Sequence, residues 1–134
     1  MTRLLVADDS ETVLLMLERR LEIEGYDVVT ATDGVEALER LREAGSQEPD
    51  VILLDAMMPN MSGTEVLEHL RDQGSKIPVL IISAHLDAQE PDRMRSLGAS
   101  DCIPKPFEWE ELIGKIEELA GNSGADGDSN SDAA

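Results

Sequence analysis

The chain has 134 residues, a single cysteine and no apolar run near the ~20 residues a membrane-spanning helix needs. That is the size of one domain with its own core, and it excludes an intrachain disulfide framework and a cysteine-based zinc site. The 29 Asp and Glu against 11 Lys and Arg give a formal net charge of -18, so nucleic-acid phosphates would be repelled rather than gripped.

The start MTRLLVADDS has no signal-peptide layout, and the expectation is a soluble cytoplasmic protein. The plain reading of the charge is a solvated acidic surface. Three lysines against eight arginines, acids along the whole chain and 2% aromatic residues point further, to a halophilic composition whose self-repulsion needs salt to screen it.

The first apolar run, Leu4–Ala7, reads as a buried strand, and Leu14, Leu17 and Leu21 make a helical stripe that stops at Gly25. A strand at Val28–Thr30 precedes a second stripe of Val35, Leu38 and Leu41, closed by Gly45. Val51–Leu54 is a third strand, followed by Val66, Leu67 and Leu70 and a stop at Gly74. Val79–Ile82 is the fourth. The segment Asp87–Leu97 reads as a helix with Met94 and Leu97 as its apolar contacts, Pro91 in its first turn and a stop at Gly98. A weaker strand at Asp101–Ile103 leads to the stripe Leu112, Ile113, Ile116 and Leu119, with a stop at Gly121. Runs that are apolar on both faces need a sheet covered by helices on each side. Five strand–helix units then predict an α/β fold, a doubly wound five-stranded parallel sheet in the flavodoxin-like order 2-1-3-4-5 with five helices. Residues 1–120 would form the domain. Residues 121–134, GNSGADGDSNSDAA, carry no apolar anchor and read as an acidic disordered tail or linker.

Ligands of such sheets bind outside the carboxyl ends of the strands. There the sequence places Asp8 and Asp9 after strand 1, Asp55 after strand 3, Ser83 after strand 4 and Lys105 after strand 5. Each alone has a plainer explanation: Asp9 or Ser10 as a helix cap, Asp55 as turn chemistry, Ser83 as a strand end, Lys105 as a loop lysine. Together they are three carboxylates, a hydroxyl and an ammonium on one rim. Carboxylates ~4 Å apart repel by roughly 4 kcal/mol at an effective dielectric of 20. They must take up protons or hold a cation, and oxygen ligands with open positions suit Mg²⁺. Such a site stabilises charge on a transferring phosphoryl group, with Asp55 as the nucleophile that forms an acyl phosphate.

The stretches Leu4-Leu5-Val6-Ala7-Asp8-Asp9-Ser10, Asp33-Gly34-Val35-Glu36-Ala37-Leu38 and Pro49-Asp50-Val51-Ile52-Leu53-Leu54-Asp55 resemble the receiver domain of two-component response regulators, the CheY-like family. Met58-Pro59, Met61-Ser62-Gly63, Ile77 through Ala84, Gly98-Ala99 and Lys105-Pro106-Phe107 continue the resemblance to about residue 120. It implies that Asp55 accepts a phosphoryl group from the phosphohistidine of a histidine kinase or phosphotransfer protein. Asp9 would ligate Mg²⁺ directly, Asp8 would support it, and Met57 would give only its backbone carbonyl. Ser83 and Lys105 would hold phosphoryl oxygens, and the Lys105–Pro106 peptide would be cis.

Two departures stand out. Where the family usually carries an aromatic switch, this chain has Cys102, too small to fill or vacate a ring-sized pocket; its plain reading is a buried strand cysteine. Pro104 should shorten pairing on strand 5. Met57 would hinder an in-line water and His85 would orient one, so both would modulate the lifetime of the acyl phosphate; His69 reads as an exposed helical residue.

The expected function is a phosphoacceptor switch that turns over no external metabolite and alters binding to a downstream protein. That binding would use the face made by helix 4, strand 5 and helix 5, with Trp109 as contact or core. A phosphatase of the haloacid dehalogenase type would need Asp-x-Asp after strand 1, where this chain has Asp8-Asp9-Ser10. A receiver portion of a larger DNA-binding regulator and a phosphorylation-independent interaction domain are the alternatives. The Met1 start and polar end favour a single-domain protein.

Overall fold

The computed structural model describes residues 2–84 and 90–124, the side chains of Glu90 and of residues 122–124 excepted. His85, the start of the segment expected to form helix 4 and residues 125–134 lie outside the described residues. The elements run β1 (Arg3–Ala7), α1 (Glu11–Ile23), β2 (Asp27–Ala31), α2 (Gly34–Ala44), β3 (Val51–Asp55), α3 (Gly63–Asp72), β4 (Val79–Ser83), α4 (Glu90–Ser96), β5 (Asp101–Pro104) and α5 (Trp109–Gly124). The strands form one sheet in the order β2-β1-β3-β4-β5, every pair parallel. This is the doubly wound order read from the sequence.

Alternation along the strands builds a core on each face. Leu5, Ala7, Ile52, Leu54, Ile81 and Cys102 point to the side covered by α2, α3 and α4. Leu4, Val6, Leu53, Leu80, Ile82 and Ile103 point to the side covered by α1 and α5. The stripe of α1 is buried as read, and so is most of that of α5.

Four details differ from the sequence reading. Val35 is 41% exposed, and α2 instead packs through Gly34 and Ala37, with Leu38 and Leu41 partly buried. Small residues let this helix approach closely: a Cβ at Gly34 would overlap the Met61 carbonyl. Gly25, Gly45, Gly74 and Gly98 adopt positive φ at the expected stops, but Gly121 lies inside α5. Pro104 does not shorten the pairing; it stands opposite Ser83 in the ladder. The Lys105 N–H reaches the Ser83 carbonyl at 2.8 Å, so the nitrogen of Pro104 faces the open edge of the sheet, where no donor is needed. Trp109 belongs to the α1 side rather than to the face of α4, β5 and α5. The Arg20 guanidinium lies 4.1 Å from its ring centroid, and its Nε1–H points to Glu24 at 3.5 Å.

Candidate functional site

The sheet order brings the carboxyl ends of β1 and β3 side by side, and the chemistry follows from that adjacency. Asp8 leaves β1 and Asp55 ends β3, both buried, while Asp9 turns outward and is exposed. Ser10, not Asp9, caps α1, its Oγ accepting from the Val13 N–H at 3.3 Å. Asp9 is thereby left without a capping task. One carboxylate oxygen from each of Asp8, Asp9 and Asp55 lies within 4.8 Å of the others.

Lys105, carried past the end of β5, closes the cluster. Its Nζ donates to Asp55 Oδ2 at 3.0 Å and to Asp8 Oδ2 at 3.1 Å. Backbone donors fix the remaining oxygens: Ser10 N–H to Asp8 Oδ1 at 2.9 Å, and Met57 N–H to Asp55 Oδ1 at 3.2 Å. The Lys105–Pro106 peptide is cis, as the resemblance implied. Ser83 is buried at the end of β4.

Burial pushes the Asp55 carboxyl above the usual carboxylate range. The hydrogen bonds from Lys105 and Met57 oppose this, and the charge of Asp8 adds to it. Burial also works against the charge of Lys105, but the hydrogen bonds to Asp55 and Asp8 outweigh it and hold the ammonium above its usual range. A single ammonium cannot balance three carboxylates. A pair 4.8 Å apart repels by roughly 3.5 kcal/mol at an effective dielectric of 20. The donor set is all hard oxygen, and the exposure of Asp9 leaves coordination positions open on the solvent side. Those are the properties of a site for a small divalent cation that keeps several waters.

Beside the cluster, Ala56, Met57, Thr64, Ser83 and Arg93 line a cavity of about 140 Å³. The placement of Arg93 and Thr64 beside the cluster was not legible in the sequence, because it depends on how α3 and α4 pack. Cys102 is buried in the core beneath the α2–α4 layer, and His85 lies outside the described residues.

The profile of the response regulator receiver domain matches residues 4–117. The chain belongs to the response regulator receiver domain family. The response regulator MprA of Mycobacterium ulcerans (strain Agy99) is 39% identical over 117 residues, which cover 87% of this chain and 49% of that protein. The chain thus spans about half the length of the curated relatives it matches. The receiver domain of the Francisella response regulator 1452 is 32% identical, with a TM-score of 0.84 over 92% of this chain and 99% of that one. The CheX-CheY-BeF3-Mg+2 complex from Borrelia burgdorferi is 26% identical, with a TM-score of 0.81 over 88% of each chain. The chain is therefore a receiver domain of a two-component response regulator, with an acidic pocket formed by Asp8, Asp9 and Asp55. No helix among the described residues is long and apolar enough to cross a membrane.

Proposed function

We propose that this receiver domain is a phosphoacceptor switch. Asp55 takes a phosphoryl group from the phosphohistidine of a histidine kinase or phosphotransfer protein. The observation that carries this reading is the Lys105 ammonium shared between Asp55 and Asp8 at 3.0 and 3.1 Å within a three-carboxylate pocket. A carboxylate oxygen of Asp55 attacks phosphorus, the P–N bond breaks, and its electron pair leaves with the imidazole nitrogen. Asp8, Asp9, Asp55 and the Met57 backbone carbonyl would hold Mg²⁺, which supplies charge neutralisation for the transferring phosphoryl oxygens. Lys105 pairs with one phosphoryl oxygen and the Ser83 hydroxyl donates to another. Return to the starting state is attack of water on phosphorus with release of inorganic phosphate, so the domain turns over no external metabolite. Support comes from the Borrelia neighbour, whose name records BeF3 and Mg alongside a CheX partner.

Phosphorylation then changes affinity for a downstream protein, and the expected location is the cytoplasm. The half-length match to MprA favours a second reading of the output, in which the domain is the receiver portion of a larger DNA-binding regulator.

Intact-mass measurement after incubation with acetyl phosphate and Mg²⁺ tests the chemistry. A single phosphoryl adduct that requires Mg²⁺ and is lost in Asp55→Asn is expected. If a folded protein accepts no phosphoryl group either from acetyl phosphate or from a phosphorylated histidine kinase, the chain is an inert interaction domain instead.

A further inference from the structure

The loop between β3 and α3, residues 56–62, carries Met57, and the Met57 N–H orients the Asp55 carboxylate. Where this loop sits therefore sets the geometry of the site. At its base the Gly63 N–H returns to the Ala56 carbonyl at 3.1 Å, and a Cβ at Gly63 would overlap the Asp55 carbonyl. At its tip the loop is tied to a different element. Asn60 Nδ2 donates to Asp33 Oδ2 at 2.7 Å. Asp33 is no loose acceptor, because its Oδ1 caps α2 by taking the Glu36 N–H at 2.7 Å. The adjacent Gly34 lies against the Met61 carbonyl. Asn60 is also the one non-glycine residue with positive φ among those described, at 67°. Asparagine tolerates that conformation better than most side chains.

We infer that Asn60, through its hydrogen bond to the α2 cap Asp33, is a positioning residue for the cation and phosphoryl site. It docks the loop that carries Met57 onto a rigid helix end. The inference rests on the proposed reading of the carboxylate pocket as a Mg²⁺ site.

A donor–acceptor swap separates this tie from charge and from folding. Asn60→Asp sets two carboxylates face to face, whereas Asp33→Asn leaves two amides that still pair once the Asn60 amide turns its carbonyl oxygen to the new donor. The double variant restores the hydrogen bond with its polarity reversed and the net charge unchanged. Asn caps a helix about as well as Asp, so α2 keeps its start in each. Mg²⁺ affinity is read by titration calorimetry, and hydrogen exchange of the amides of residues 57–62 is read without metal.

Asn60→Asp is expected to bind Mg²⁺ roughly threefold to tenfold more weakly, the scale of one exposed charge-assisted hydrogen bond, and Asp33→Asn to lose less than about threefold. The double variant is expected to recover to within about twofold, and loop protection should follow the same order. Charge alone predicts the opposite for Asn60→Asp, because an added carboxylate attracts the cation. Wild-type affinity or tighter binding in Asn60→Asp overturns the positioning role. A wild-type protein that binds no Mg²⁺ overturns the metal reading beneath it.

Discussion

Lys105 holds its charge between two buried carboxylates, so its removal exposes what those carboxylates do to each other. Lys105→Met is expected to lower stability by about 2–3 kcal/mol at neutral pH without Mg²⁺, since breaking one side of a buried pair leaves an uncompensated charge. Millimolar Mg²⁺ should recover much of that loss, and urea denaturation with and without Mg²⁺ checks it. An equal loss in both conditions would place the effect in packing rather than charge. Asp55 itself works the other way. Its carboxyl is raised mainly by burial, so the folded state holds the proton to higher pH than the unfolded chain does. Its stabilising contribution is full below the unfolded value and is lost as pH rises through the folded one. Asp55→Asn is therefore expected to be more stable than wild type at pH 7 without Mg²⁺, with an advantage that shrinks as pH falls through the raised folded value and is gone below about 4. Denaturation curves from pH 3.5 to 7.5 measure it, and a pH-independent difference would overturn it. At this scale the sequence was informative for the carboxylates and the lysine, because each stands at the end of a readable strand. The places of Asn60 and of the cavity-lining Arg93 were not legible, since they arise where separate loops and helices touch, and no local periodicity records that contact.

Between elements, the edge strand β5 is fastened to both neighbouring helices by Asp101. Lys115 of α5 reaches Asp101 Oδ2 at 2.9 Å, and Arg95 of α4 reaches Oδ1 at 3.1 Å. Burial works to raise the Asp101 carboxyl, but Lys115, the Cys102 N–H and Arg95 outweigh it and hold the group below the usual range. The clip is thus present at neutral pH and is lost as pH falls through that lowered value, below about pH 4. Arg95 is 51% exposed along its side chain, so its share is small. Asp101→Asn is expected to lower stability by about 1 kcal/mol at pH 7, with Lys115→Gln reproducing most of the loss and Arg95→Gln little. Faster hydrogen exchange in α4 should accompany Arg95→Gln, and unchanged exchange there would show that the pair does not hold the helix. The strands were legible as elements because parallel strands covered on both faces are apolar throughout, as Val51 to Leu54 are. The α2 face was misjudged for the converse reason: a helix that packs through Gly34 and Ala37 leaves a weak hydrophobic signal, and Val35 nearby draws the stripe toward solvent. Trp109 was misplaced because its partners Arg20 and Glu24 sit on an element nearly ninety residues earlier.

For the whole molecule, the net charge of -18 sets the largest condition-dependent term. A chain of this length folds to a radius of gyration of about 14 Å. The screening length is ~10 Å in 0.1 M salt and ~3 Å in 1 M. At low salt each surface carboxylate therefore feels several others, and in molar salt it feels few. Screening also weakens attractive pairs such as Arg40–Glu36 and Arg95–Asp101, but exposed pairs contribute at most ~1 kcal/mol each. Eighteen uncompensated charges outweigh them, so the sign is set: salt stabilises the fold. The melting temperature is expected to rise by about 4–7 °C between 0.05 and 2 M KCl, as 1–2 kcal/mol produces in a domain of this length. Mg²⁺ must act differently, because one bound ion saturates and stabilises by RT ln(1 + [Mg²⁺]/Kd). Asp55→Asn should keep the KCl response in full while losing most of the rise produced by millimolar Mg²⁺. A flat KCl curve would mean that the acidic surface is merely solvated. An equal loss of both responses in Asp55→Asn would mean that the carboxylate pocket, rather than the surface as a whole, dominates the electrostatics of folding.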